Sequence, residues 1–127
     1  EQAKALSELA EKVKANGFSV VCFTGYLLEE LKAKNDVFVE ALLSNIDLLI
    51  DGGFEQDKFD LSRPWVGSSN QRYYFLTDFY TPEILQKYKN KIEARISKDG
   101  RLELNGMGDF GKVSKDLCLQ VEKYRVK

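Results

Sequence analysis

Two short apolar runs, each closed by a glycine turn and separated by helical segments, constrain this chain most. Phe18 to Phe23 and Ile46 to Ile50 are almost unbroken in apolar residues, which predicts strands buried on both faces. The first run ends at Thr24-Gly25 and the second at Asp51-Gly52-Gly53. Between them, Leu27 to Lys34 and Asp36 to Leu43 read as two short helices, with Asp36 suited to cap the second. Ahead of them, Ala3, Leu6, Leu9, Ala10 and Val13 recur at helical spacing over Glu1 to Asn16, and Asn16-Gly17 is a helix stop. Helix, strand, helix, strand with short loops is the rhythm of an α/β fold with parallel strands.

The remainder is less regular. Residues 54–70 are polar and without period, a long connection of the kind that carries function or is disordered. Trp65 within it reads as a loop anchor or a stacking platform. Arg72 to Leu76 reads as a third strand. Thr81-Pro82-Glu83 pairs a cap with a proline at the first helical position and predicts a helix to about Lys89. Lys91 to Ser97 and Arg101 to Asn105 alternate around Lys98-Asp99-Gly100, a hairpin signal. Lys112 to Tyr124 predicts a last helix, with Val113, Leu117, Gln120, Val121 and Tyr124 along one side.

Side-chain inventory removes several chemistries. Among 127 residues there is no histidine, so a Ser-His-Asp triad, a Cys-His pair and a histidine-ligated metal are excluded. The 2 cysteines, Cys22 and Cys118, are too few to hold a metal site and too far apart for a CxxC pair. Cys22 lies in an apolar run and reads as a small core residue. The 19 basic and 20 acidic residues give a net charge of −1, which provides no long-range attraction to nucleic acid or to an anionic membrane surface. No apolar stretch reaches the roughly 20 residues of a membrane span, and no GxxxxGK[ST] phosphate loop is present.

Three loops follow the strands, where α/β folds bind ligands. Thr24-Gly25-Tyr26 offers a hydroxyl and close backbone approach, and is equally an ordinary helix cap after a strand. Asp51-Gly52-Gly53-Phe54 puts a carboxylate at a strand end, suited to a ribose hydroxyl or an ammonium group, and is also a common turn. Gly67-Ser68-Ser69-Asn70-Gln71 concentrates hydrogen-bonding groups ahead of Arg72, suited to a polar ligand or to an anion reached by Arg72, or else a solvated loop.

The order and spacing of these segments carry more than any one of them. Phe23-Thr24-Gly25-Tyr26, Leu28-Glu29-Glu30-Leu31, Asp47-Leu48-Leu49-Ile50-Asp51-Gly52, Phe54 and Trp65-Val66-Gly67-Ser68-Ser69-Asn70-Gln71 together resemble one family. It is the radical S-adenosylmethionine activating enzymes, of the anaerobic ribonucleotide reductase and pyruvate formate-lyase activating type. The resemblance covers residues 1–77 and corresponds to the C-terminal half of those enzymes. It implies half of a partial (β/α) barrel with parallel strands; residues 78–127 lie outside the resemblance and are read from their own pattern as a helix, a β-hairpin and a terminal helix packed on it. It also implies a [4Fe-4S] cluster that cleaves S-adenosylmethionine to a 5′-deoxyadenosyl radical, hydrogen abstraction from a partner glycyl-radical enzyme, and a cytoplasmic location. By this resemblance Thr24, Gly25, Asp51, Gly52, Ser68, Ser69, Asn70 and Gln71 face the cofactor. Relatives often carry a lysine where this chain has Gly53.

The sequence has no CxxxCxxC and no Gly-Gly-Glu-Pro loop. It begins inside its own helical pattern, as expected of the second half of a larger barrel cut from its first. No catalytic or metal-binding residue is therefore assigned, neither cofactor is expected to bind this chain alone, and the chain is expected to be inactive alone. An open sheet edge makes self-association into a dimer a further expectation. The competing reading is a non-catalytic α/β module that binds a nucleotide or a protein.

Overall fold

The computed structural model describes residues 2–88 and 90–123, with side chains in the last helix described to 116. The chain forms two compact units, Glu1–Tyr88 and Lys89–Lys127. The first unit runs past the boundary expected at 77 because Tyr80 and Leu85 pack into its core and Tyr88 stacks on Trp65, ring centroids 5.0 Å apart.

In the first unit the helix α1 spans Gln2–Ala15. It stops as predicted at Gly17, whose φ of 82° admits the left-handed conformation. Gly17 N–H donates to Lys14 O and Phe18 N–H to Val13 O, a Schellman closure. The strand β1 spans Val21–Phe23, followed by α2 (Leu28–Ala33) and α3 (Val37–Ser44). Asp36 caps α3, accepting Phe38 N–H at 2.8 Å. The strand β2 spans Leu48–Asp51, all four residues buried. After a short 3₁₀ turn at Gln56–Lys58 come β3 (Arg72–Phe75) and α4 (Pro82–Leu85), the latter capped by Thr81.

The sheet order is β1-β2-β3. β1 and β2 are parallel, Cys22 opposite Leu49, as the helical crossover between them requires. β3 corrects the expectation of parallel strands: it runs antiparallel to β2, Asp51 opposite Arg72 and Leu48 opposite Phe75. The reason is the connection. Residues 52–71 contain no helix long enough for a crossover, so the chain folds back beside the strand it has just left. The fold is thus mixed α/β, and the sheet does not close into a barrel.

Alternation along β2 sends its side chains into two cores. On the helical side Leu49 packs with Leu28, Ile46, Leu42, Leu43, Cys22 and Tyr74. On the opposite side Leu48 and Ile50 pack with Val66, Leu85, Trp65, Tyr73, Phe75 and Tyr80. That second face lies away from the helices that connect β1 and β2. Here residues 65, 66, 80 and 85 of the chain itself cover it. β1 is less buried than its sequence predicts. It lies at an edge, and Phe23 keeps 58% of its surface exposed.

The second unit carries the predicted hairpin, β4 (Ile92–Ile96) and β5 (Leu102–Gly106), antiparallel around Gly100 at φ 81°. The helix α5 spans Phe110–Lys123. Its expected apolar side at Leu117, Gln120, Val121 and Tyr124, the Cys118 thiol, and the expected helix ends at Glu1 and Lys89 lie outside the described residues. Among the described residues no helix is long and apolar enough to cross a membrane.

Candidate functional site

The site is built on the C-terminal end of β2. After Asp51 the chain turns sharply at Gly52, φ 90°, a conformation that favours glycine. Gly52 N–H donates to Tyr26 O at 3.2 Å, and Thr24 N–H donates to Ile50 O at 3.0 Å. The Thr24-Gly25-Tyr26 loop after β1 is therefore laced to the turn after β2. The third loop closes on the same turn: Asn70 Nδ2 donates to Gly53 O at 2.8 Å and Gln71 Nε2 to Gly52 O at 3.2 Å. All three loops singled out from the sequence converge here.

Their side chains do different work. Gln71 Oε1 accepts the N–H groups of Gly67 at 2.9 Å and Ser68 at 3.2 Å, so one amide holds its own loop and the neighbouring turn. Ser68 is buried, and its hydroxyl accepts Glu55 N–H at 3.2 Å. Arg63 donates to Ser68 O at 3.0 Å. Asn70 spans to Gly53 through Nδ2 while its Oδ1 is buried without a partner. Ser69 is exposed, and the Thr24 hydroxyl accepts Tyr26 N–H at 3.2 Å. Around Gly25 there is open space, and a Cβ at Gly53 would meet only Gly25 O, at 3.7 Å. These two glycines leave a notch where a ligand could approach bare backbone.

Asp51 is fully buried and its carboxylate is engaged inside the protein. Oδ2 accepts Leu28 N–H at 2.8 Å and Arg72 Nη2 at 2.6 Å, and Oδ1 accepts Arg72 Nε at 3.0 Å. α2 has Leu27 at its N-cap position, a residue with no capping group, so Asp51 on the strand supplies the acceptor in its place. Arg72 also donates Nη1 and Nη2 to the Glu29 carboxylate at 3.1 and 2.8 Å. Donating hydrogen bonds to Asp51 and then Glu29 raises the Arg72 pKa, and the Arg72 guanidinium holds the Glu29 carboxyl below its ordinary range. The anion that Arg72 reaches is thus the chain's own. Glu29 stood within the Leu28-Glu29-Glu30-Leu31 segment of the resemblance but was given no role from sequence. The available signal was Leu27, an incompetent cap that implies an acceptor from elsewhere. Trp65 acts as the loop anchor, edge-on to Tyr80 at 6.1 Å.

The profile of the 4Fe-4S single cluster domain family matches residues 1–74. The chain belongs to that family. Its similarity to activating proteins agrees with the resemblance drawn from the sequence. It is 53% identical over 57 residues to an anaerobic ribonucleoside-triphosphate reductase-activating protein of Pasteurella multocida, covering 45% of this chain and 35% of that protein. It is 39% identical over 69 residues to the protein of the same name from Vibrio cholerae, covering 53% and 42%. The Escherichia coli protein of that name is 39% identical over 66 residues, covering 50% and 40%. The matches thus span about two-fifths or less of each relative's length. No solved structure matches.

The cluster that gives the family its description does not fit the residues of this chain. An iron–sulfur cluster needs a set of thiolate ligands, and these 127 residues hold 2 cysteines and no histidine. Among the described residues no three His, Cys, Asp or Glu side chains group as a metal site. The backbone at Gly25 and Gly53 meets no side chain where a Cβ would stand, and the Thr24 hydroxyl belongs to the residue next to Gly25.

Proposed function

We propose that this chain is the cofactor-facing, non-ligating portion of a radical S-adenosylmethionine activase whose partner is a glycyl-radical enzyme such as an anaerobic ribonucleotide reductase. In this reading the parallel β1–β2 pair and its helices are part of the C-terminal half of a partial (β/α) barrel. The observation that carries the reading is the joining of three loops into one rigid turn at the strand ends, with open backbone at Gly25 and Gly53.

Two groups of residues divide the roles. Thr24, Gly25 and Ser69 face the cofactor, supplying a hydroxyl, bare backbone and a second hydroxyl. Asp51, Gly52, Ser68 and Gln71 set the shape of that surface through hydrogen bonds inside the protein, and Asn70 does so through Nδ2 while its Oδ1 has no partner. Bound S-adenosylmethionine would supply hydrogen-abstracting power, and the residues here orient it and limit its freedom. The cluster ligands have to come from polypeptide other than these residues, so this chain alone is inactive.

The test is a titration of the isotope-labelled chain with S-adenosylmethionine, followed by amide chemical shifts. Saturable shifts confined to Thr24, Gly25, Gly53 and Ser69 are expected, a departure from the sequence expectation that neither cofactor binds the chain alone. Shifts elsewhere, or none at millimolar ligand, remove the cofactor-facing assignment and favour a non-catalytic module.

A further inference from the structure

We propose that Arg72 is a positioning residue for this site, acting through Asp51 and Glu29 to hold the Thr24-Gly25-Tyr26 loop against the end of β2. For the identity of the ligand this rests on the reading above. For the loop itself it rests on geometry.

The loop is three residues long and leads into α2, whose N-cap residue Leu27 has no capping side chain and whose own Glu30 accepts Leu27 N–H at 2.7 Å, leaving Leu28 N–H to an acceptor outside the helix. The loop's first residue is fixed by the sheet, through Thr24 N–H to Ile50 O, and its last by Gly52 N–H to Tyr26 O. The helical turn that follows the loop depends on side chains. The first helical amide, Leu28 N–H, rests on Asp51 Oδ2, and the next residue, Glu29, is gripped by two nitrogens of Arg72. Arg72 Nε and Nη2 in turn fix both oxygens of Asp51. One guanidinium therefore sets the carboxylate that caps α2 and also pulls on the following residue of the same turn. β3 enters this arrangement because it is antiparallel, which puts Arg72 directly across from Asp51.

A planar fork is needed for that double grip. A lysine ammonium is a point charge and cannot present paired donors to two carboxylates at once. Arg72 itself contacts no ligand in this scheme, since the chain's own carboxylates occupy its donors. It acts on Thr24 and Gly25 only through the end of their loop.

The experiment is amide hydrogen exchange on the 127-residue chain as wild type, Arg72→Lys and Glu29→Gln. Exchange at Tyr26, Leu28 and Gly52 is expected to accelerate about tenfold in both variants, with Leu49 and Ile50 unchanged, because local opening and global unfolding are separable. Unchanged exchange at those three amides overturns the proposal. So does uniform acceleration that includes Leu49 and Ile50, which would mark a fold-wide role. Glu29→Gln decides the matter if Arg72→Lys does not fold, because Glu29 is exposed. Affinity for S-adenosylhomocysteine, read in parallel, is expected to weaken about tenfold in the variants, the scale of one lost charge-assisted hydrogen bond. A wild type that binds none of it defeats the cofactor reading, and the exchange result still decides the role of Arg72.

Discussion

Asp51 and Arg72 stand directly opposite each other in the β2–β3 ladder and form a two-point ion pair, at 3.0 Å through Nε and 2.6 Å through Nη2. Asp51 is entirely buried while the Arg72 side chain remains 42% exposed. Removing the carboxylate strands the guanidinium and the Leu28 amide together. Asp51→Ala is expected to lower stability by about 2–4 kcal/mol, toward the low side for a broken buried pair because water reaches Arg72. Glu29→Gln, at the exposed end of the same network, is expected to cost far less. Urea unfolding of both variants checks the ranking, and equal losses would contradict it.

A second buried carboxylate gives the fold a pH dependence of known sign. Asp47 is 1% exposed and receives Lys14 Nζ at 2.5 Å, Thr77 Oγ1 at 2.7 Å and Val20 N–H at 2.8 Å. Burial pushes its pKa up, but these three partners outweigh burial and hold it below the ordinary value. A carboxyl whose folded pKa is depressed contributes stability above its unfolded pKa of about 3.9, and loses it as pH falls through the folded value. The urea midpoint of the wild type should therefore drop on going from neutral to strongly acidic pH. Asp47→Asn should be less stable at neutral pH and show a smaller drop. An unchanged pH profile in the variant would assign the acid sensitivity to other carboxylates.

Local signals in the sequence were sound wherever one residue decides a conformation. Gly17, Asp36, Thr81 and Asp99-Gly100 each did what their chemistry predicts. Buried strands were also visible, β2 more accurately than β1, because an apolar run reports hydrophobicity and not whether the strand has a neighbour on both sides. The direction of β3 was not legible. It depends on how the 52–71 connection packs, and that connection has no period to read. The three loops could be found from their residues, but the division of labour among them could not. Gln71 and Asn70 look the same in sequence whether they point at a ligand or at Gly52 and Gly53. That distinction follows from tertiary distances alone.

The inventory of ligands makes a prediction about iron. With 2 cysteines in the sequence, Cys22 half-buried and its thiol pKa raised by burial, no site-differentiated cluster can assemble on these residues. Anaerobic reconstitution of the 127-residue chain with iron and sulfide is expected to give no cluster absorbance and no bound iron after desalting. A stoichiometric cluster that S-adenosylmethionine perturbs would falsify this.

The two glycines of the paired turns should respond in opposite ways to the same substitution. Gly52 has φ 90°, and a Cβ there would come within 3.5 Å of Asn70 O and 3.6 Å of Asn70 Nδ2. Those are ordinary contact distances, so Gly52→Ala is expected to cost about 1–2 kcal/mol from backbone conformation alone. Gly25 lacks a positive φ, and a Cβ there meets nothing within 4 Å. Gly25→Ala should fold with wild-type stability, or slightly above it, since alanine restricts the unfolded chain more than glycine does. If the notch receives a cofactor, that silent methyl group should still weaken its binding, because it fills the space where the ligand meets bare backbone. Thermal unfolding reads the first effect, and the amide-shift titration with S-adenosylmethionine reads the second. A Gly25→Ala chain with unchanged stability and unchanged binding would place the ligand somewhere other than the notch.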